Sequence, residues 1–190
     1  MDNLLFFIAG LIPVGIIVVI VFLVILGNKK EKKYTQVQLE SGEDKRIFMN
    51  FAKSLFERPE QYDYVAGSFI RNTREGDTYT TYYYSYVVAF HQNGELWICP
   101  YVCQNHVPML RNKMQVDLSE AKISYDISKD QTTVNVYVAG EPLGFWVEDV
   151  VKSDGTDDTQ APFALDQSAE RERLNQVLPK LKELCEKQKG

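Results

Sequence analysis

The residue types that most readily do chemistry gather in one stretch of the chain. Cys99, Cys103 and His106 follow one another at Cys-x3-Cys-x2-His spacing, and His91 precedes them. Thiolate and imidazole groups are common zinc ligands, but a structural zinc site needs four of them converging in a tetrahedron. The second Cys or His pair that would complete such a set is missing from the sequence. We therefore predict no metal site.

A cysteine nucleophile with a histidine base is the other chemistry that these residues offer, and it also needs an orienting Asn or Asp. Asn105 and Asp117 are near in sequence, but their spacing selects neither. Phosphate-binding glycine loops and the common hydrolase and metalloprotease motifs are absent from the sequence. We predict no enzymatic activity and no cofactor. The alternative is a membrane-tethered enzyme or metal-binding protein built on Cys99, Cys103 and His106.

Tyrosines form the second notable group. Five of them lie between Tyr79 and Tyr86, in the segment with the strongest strand pattern. Tyrosine gives a rigid contact area with a polar tip, which suits recognition surfaces. This pattern predicts that Tyr82, Tyr83 and Tyr84 bind a protein partner. The competing interpretation is a strand of high β propensity that is covered on both faces.

The N-terminal segment determines where these groups would work. Residues 4–26 carry no charged side chain. As a helix they span about 34 Å, against about 30 Å for the hydrocarbon core of a bilayer. The segment lacks the basic start and the cleavage site of a signal peptide. We therefore predict a transmembrane helix, with spanning positions that include Leu4, Phe7, Pro13, Val18 and Leu26.

Four lysines immediately after this segment predict its orientation. No basic residue precedes the apolar run, so the positive-inside rule places the C-terminal side in the cytoplasm. The predicted protein is a single-pass protein of the cell membrane with its N-terminus outside. The bilayer is then a partner, both through the helix and through surface contacts of Lys29, Lys30, Lys32 and Lys33. An exported sensor domain, with the opposite topology, is a further alternative.

Charge and cysteine content limit the function of the remaining chain. The 190 residues carry a net charge of −5, and residues 1–33 carry +2 (four lysines against Asp2 and Glu31), so the rest carries −7. Nucleic-acid binding requires clustered basic residues and is not predicted. Three cysteines do not form a disulfide framework, and their number suits a reducing compartment.

Periodicity divides the chain into an anchor (residues 1–28), a polar linker (residues 29–40) and a folded domain (residues 41–190). Ser41 is a predicted N-cap for a leading helix over residues 43–57, which carries an apolar stripe. About six alternating segments follow, joined by short turns such as Asn93-Gly94, and residues 104–115 read as a loop. Residues 167–187 form an amphipathic closing helix interrupted by Pro179. Because short turns cannot join parallel strands, the fold class is α+β with a curved antiparallel sheet.

The order of these elements resembles the pleckstrin-homology-like (PH-like) superfold. The resemblance rests on the hairpin of residues 83–102 around Asn93-Gly94, the meander of residues 121–147 and the closing helix. It implies a curved sheet capped by a C-terminal helix, and bacterial members are often tethered to a transmembrane helix. The leading helix departs from this pattern, and a cystatin-like sheet wrapped on that helix is the alternative.

The resemblance does not extend to lipid binding. Lipid-binding PH-like domains hold phosphoinositide headgroups with basic loop residues, whereas the loop of residues 72–77 has one arginine beside two acids. The predicted function is therefore a cytosolic domain that binds a protein partner or scaffolds at the membrane surface.

Overall fold

An antiparallel sheet organises the chain and positions everything else. The computed structural model describes residues 2–138, 141–153, 155 and 162–187, with side chains from residue 19 onward except at residue 141. The helices are α1 (Asp2–Ser41), α2 (Glu43–Ser54), a 3-10 turn (Pro59–Gln61) and α3 (Ser168–Lys187). The strands are β1 (Asp63–Glu75), β2 (Thr78–His91), β3 (Glu95–Gln104), β4 (Val107–Leu110), β5 (Met114–Gln115), β6 (Lys122–Ile127), β7 (Gln131–Val138), β8 (Glu141–Glu148), β9 (Val150–Val151) and β10 (Leu165–Asp166).

Eight of the strands form one curved sheet in the order β4-β3-β2-β1-β8-β7-β6, with β5 also paired to β3. The pairings between neighbours are antiparallel, and most join strands that are consecutive in sequence. The turn between β2 and β3 closes at the His91–Glu95 pair, where Gly94 has a φ of +100°. Only glycine adopts that backbone conformation without strain, so the Asn93-Gly94 signal has a direct physical cause.

Alternation along the strands builds two hydrophobic cores on opposite faces of the sheet. Even-numbered residues of β2 and β3, such as Val88 and Ile98, join β6–β8 and the apolar stripe of α3. Odd-numbered residues, such as Val87 and Cys99, pack under α2 and the segment around Phe163. Because each face is covered by a helix, β1–β3 carry apolar residues on both faces over their buried halves.

The two halves of the sheet meet at a weak backbone junction that one side chain reinforces. β1 and β8 pair only at Ser68 and Trp146. Beyond that pair, the buried amide of Gln167 accepts a hydrogen bond from Ala66 N (2.8 Å) and donates to the carbonyl oxygens of Ala66 (3.0 Å) and Glu148 (2.9 Å). The Gln167 amide thus takes the place of backbone pairing where the strands separate.

Residues 29–40, predicted as a polar linker, are the last part of α1, which runs as one helix to Ser41. This part lies against the domain, since the buried Thr35 hydroxyl donates to Ser153 O at 3.1 Å. Gly42, with a φ of +66°, separates α1 from α2 and is the N-cap residue of α2. The Ser41 hydroxyl, predicted as the cap, instead accepts from Glu43 N outside the cap position.

The prediction of a transmembrane helix is wrong. Over the described residues, no helix combines the length and the hydropathy needed to cross a membrane. Three further predictions depended on this helix and are wrong for the same reason. They are the single-pass membrane protein, the location in the cell membrane, and the topology with the N-terminus outside and the domain in the cytoplasm. The side chains of Leu4, Phe7, Pro13 and Val18 lie outside the described ones.

The strand count also differs from the prediction, because over the described residues the sheet has eight strands rather than about six. The extra strands come from residues 104–115, which were predicted as a loop and contain β4 and β5. These strands are four and two residues long, too short to show a period in sequence. The closing helix, by contrast, runs without interruption through Pro179.

Replacing Gln167 tests the junction of β1 and β8. Gln167→Ala leaves three backbone groups without their partner, two of them buried, so we expect it to lower the free energy of unfolding by about 3 kcal/mol. Urea unfolding followed by circular dichroism measures the change. The control is Gln36→Ala, which removes an exposed glutamine bonded to Glu40 and changes stability by less than about 0.5 kcal/mol. Equal effects of the two substitutions would contradict the role of Gln167.

Candidate functional site

β2 and β3 pair over only part of their length and then diverge. Their last pair is Ser85 with Tyr101. β2 extends seven residues beyond this point, to Thr78, and pairs only with β1 there, whereas β3 continues to Gln104 and pairs only with β4. The strands therefore leave a gap in the sheet with a backbone edge on each side.

A groove of about 470 Å³ occupies this gap. Its walls are the diverging ends of β2 and β3, with β4 and the residues that follow it on one side. The described lining residues are Thr81, Tyr82, Tyr83, Ser85, Tyr101, Val102, Cys103, Gln104, Met109, Arg111 and Pro162. Volumes of this size are typical of sites for small ligands or short segments of a partner.

Strand register assigns the lining residues to two faces. Val102 pairs with Met109, so both lie on the face that carries the core under α3, and Tyr82 shares it by alternation along β2. Tyr83 and Cys103 lie on the α2 face by the same alternation. An extended chain in the groove would therefore contact Tyr82, Val102 and Met109 on one face, and Tyr83 and Cys103 on the other.

Two hydroxyl groups mark the closed end of the groove. Tyr101 is buried, and burial raises the pKa of its hydroxyl, while a hydrogen bond with Ser85 acts in the opposite direction. Phe51 meets the Tyr101 ring edge-on, with centroids 5.5 Å apart. These contacts lie at the last pair of β2 with β3, where the two strands separate.

The tyrosines predicted to bind a partner lie on the free part of β2. Tyr79 is 70 % exposed, and Tyr82 and Tyr83 are about half exposed. Tyr84 is the least exposed of the group and packs against Phe69, with ring centroids 6.1 Å apart. The covered strand of the competing interpretation begins only at Tyr86, which is buried.

The turn between β3 and β4 is held against the helices by a buried carboxylate. Asp44 of α2 is fully buried, and its Oδ1 lies 3.0 Å from His106 Nε2. The Tyr34 hydroxyl donates to the same oxygen at 3.5 Å, and Asp44 Oδ2 accepts from Ala164 N at 2.8 Å. One carboxylate therefore joins α1, α2, the β3–β4 turn and the segment before β10.

His106 reaches this carboxylate through an unusual turn. Asn105 and His106 form the two-residue connection between β3 and β4, and both have positive φ angles, of 52° and 62°. Two left-handed residues in sequence are typical of a tight hairpin whose twist matches the sheet. The sequence offered a weak signal, since asparagine favours the first position, but histidine replaces the usual glycine at the second.

A second cavity, of about 560 Å³, lies beside Asp44, but the side chains that line it favour a structural role over a catalytic one. Tyr34, Asp44 and His106 line it with Gln38, Glu43, Ile47, Asn105 and Gly155. An aspartate that orients a histidine would suit a general base, yet this described lining contains no serine, threonine or cysteine to activate. Both oxygens of Asp44 already accept hydrogen bonds from the protein, so the cluster serves as an internal connection.

The cysteines and histidines predicted as alternative chemistry are held apart. Cys99 and Cys103 lie four residues apart on β3, about 13 Å along the strand. Cys99 is buried in the core under α2, whereas His106 contacts Asp44. His91 of β2 pairs with Glu95 at the start of β3, far from Cys103, and packs against Tyr62. The described part of the chain holds no group of three or more side chains placed to bind a metal ion.

The remaining predicted residues lie away from the groove. Asp117 accepts hydrogen bonds from the backbone and hydroxyl of Ser119 within a local turn. Leu26 is 45 % exposed on α1. The predicted membrane-surface residues Lys29, Lys30, Lys32 and Lys33 are all exposed on α1.

Sequence reasoning missed the other wall of the groove. Val102, Met109 and Arg111 line it, but the last two lie in the segment that was predicted as a loop. Asp44 was also missed, since an acidic residue in the first turn of a helix is ordinarily an exposed partner of the helix dipole. The chain matches no known family model, and no curated protein or solved structure is significantly similar to it.

Substituting Asp44 tests whether the buried carboxylate connects these elements. Asp44→Ala removes the acceptor for Ala164 N and for His106, so we expect a loss of about 3 kcal/mol in the free energy of unfolding. Chemical denaturation measures it. The matched control is Glu43→Ala, which removes the adjacent exposed acid and its surface pair with Arg46 at a cost below about 0.5 kcal/mol. A small effect of Asp44→Ala would overturn this role.

Thiol reactivity tests the placement of the cysteines. Burial raises the pKa of the Cys99 thiol to about 11, and Cys185 is also buried, whereas Cys103 is partly exposed. Because the thiolate is the reactive form, the native protein should show one fast-reacting thiol with Ellman's reagent at about pH 8, and that thiol disappears in Cys103→Ser. All three thiols should react after unfolding. Fast reaction of two thiols in the native protein would contradict this arrangement.

Proposed function

We propose that this domain is a protein-binding module that receives an extended segment of a partner in the groove between β2 and β3. The observation that carries this proposal is the divergence of the two strands beyond Ser85 and Tyr101. Exposed strand edges offer backbone donors and acceptors that pair with an added strand, and proteins commonly recognise peptides in this way.

The dimensions of the edge support a peptide as the occupant. Residues 78–84 of β2 have no strand on their β3 side among the described residues. Seven residues of strand extend about 23 Å, enough to pair with a segment of similar length. Main-chain pairing supplies the register, and side chains that alternate between the two faces supply specificity.

The composition of the groove supports the same proposal. Tyr82 and Tyr83 present half-exposed rings to opposite faces, and Val102 and Met109 add apolar surface. Tyrosine and methionine are enriched in protein interfaces, where they bury area at a modest entropic cost. Two of the three tyrosines predicted to bind a partner, Tyr82 and Tyr83, thus line the groove.

We also propose that the domain is PH-like. The sheet order supports this proposal: β1–β4 and β6–β8 form two consecutive meanders joined where β1 meets β8. The apolar stripe of α3, with Leu174, Leu178 and Leu181, packs into the core between them. The cystatin-like alternative receives less support, because the sheet does not wrap around α2. This helix covers only the face of β1–β3 opposite to α3.

Binding is better supported than catalysis at this site. The alternative enzyme or metal-binding protein requires Cys99, Cys103 and His106 to act together, whereas Cys99 is buried and His106 is bonded to Asp44. Of the three, only Cys103 lines the groove. Chemical modification of Cys103 can therefore block the groove and test the proposal.

Selection of peptides followed by chemical blocking tests the proposed function. Random seven-residue peptides displayed on phage are selected on the full chain, and the enriched peptides are synthesised with a fluorescent label. Attaching a bulky maleimide to Cys103 fills the groove, so we expect the affinity measured by fluorescence anisotropy to fall at least about tenfold.

The control is Cys103→Ser treated with the same reagent, in which the affinity stays unchanged. Failure to enrich any peptide over an unrelated protein would contradict the proposed function. Binding that is equally tight before and after modification of Cys103 would place the peptide elsewhere and would also contradict it.

A further inference from the structure

Arg111 gives the groove a positive charge in a domain whose net charge is negative. It is the only charged residue among the described lining residues, in a region that carries −7 after residue 33. Its backbone position is fixed, because Arg111 N donates to Pro100 O at 2.8 Å and so extends the pairing of β4 with β3. The arginine therefore lies directly after β4 and is held beside β3 by a backbone hydrogen bond.

The guanidinium of Arg111 makes no ion pair within the described part of the chain. Arg74, Arg171 and Arg173 each lie within ion-pair distance of an aspartate. Arg111 is exposed and has no such neighbour there. A planar guanidinium with five donors matches a carboxylate in a two-point contact, so an acidic group is the ligand chemistry that it fits.

Register places Arg111 on the same face as the apolar wall of the groove. Because Arg111 lies opposite Pro100 and alternates with Leu110, it shares a face with Met109 and Val102. Tyr82 borders the same face from β2. An extended chain therefore meets an arginine and apolar surface with every second side chain, and polar or aromatic groups with the others.

We propose that the groove selects an extended peptide segment that carries an aspartate or glutamate facing Arg111. This inference rests on the proposed function and adds which peptide sequences the groove selects. The acidic side chain pairs with the guanidinium, and the residues two positions away on the same face pack against Met109 and Val102. The overall negative charge of the domain disfavours acidic peptides in general, so a single acidic position, rather than an acidic tract, is selected.

Parallel selections with three chains test this inference. Random seven-residue peptides are selected on the wild type, on Arg111→Glu and on Arg58→Glu, which changes an exposed arginine that does not line the groove. We expect one fixed acidic position in peptides from the wild type and Arg58→Glu. The same position should turn to lysine or arginine in peptides from Arg111→Glu.

Binding measurements then separate the specific pair from general charge. In the best wild-type peptide, replacing the acidic residue by its amide should weaken binding to the wild type about tenfold and leave binding to Arg111→Gln unchanged. Thermal unfolding checks that each variant folds like the wild type. Arg111→Gln, which preserves a polar side chain of similar length, provides the test if Arg111→Glu is unstable.

The outcomes distinguish the inference from the proposed function. Enriched peptides that are blocked by Cys103 modification but show no acidic position would overturn the inference and keep the proposed function. An acidic position that is unchanged in Arg111→Glu would overturn the inference as well, because another group would then recognise it. If none of the three chains enriches peptides, the proposed function itself fails.

Discussion

The pair between Ser85 and Tyr101 is the constraint on which the site depends. Before this pair, β2 and β3 belong to one sheet with a core on each face. Beyond it, each strand keeps only its other neighbour, and the sheet divides into a β1–β2 ribbon and a β3–β4 ribbon. A sheet that remained paired would have neither the groove nor its two free edges. The backbone therefore creates the groove, and its side chains supply the selectivity that we propose for it.

The buried carboxylate of Asp44 holds the second ribbon in place. His106, at the tip of the β3–β4 hairpin, reaches Asp44 on α2, and Tyr34 of α1 joins the same oxygen. Phe163 supports the His106 ring edge-on, with centroids 5.2 Å apart. The hairpin is consequently held toward the helices and away from the free part of β2. The helix α2 thus covers one core and also holds the hairpin that borders the groove.

Local sequence patterns predicted the elements but not the site. Asn93-Gly94 gave the central hairpin, and the spacing of Leu174, Leu178 and Leu181 gave the closing helix, because both depend on near neighbours. The position of the β3–β4 hairpin beside the groove depends instead on the contact of Asp44 with His106, which are 62 residues apart. No periodic signal records such a contact. Apolar content in the N-terminal segment predicted a transmembrane helix, which the described helices do not provide.

Amide hydrogen exchange tests the central claim most directly, since strand addition protects backbone amides on the edge where it occurs. The full chain is compared with and without a peptide selected on it. We expect new protection at alternating amides of residues 78–84 and at residues 102–104, with little change in β6 and α3. Protection confined to β6 or α3, with residues 78–84 unchanged, would contradict it.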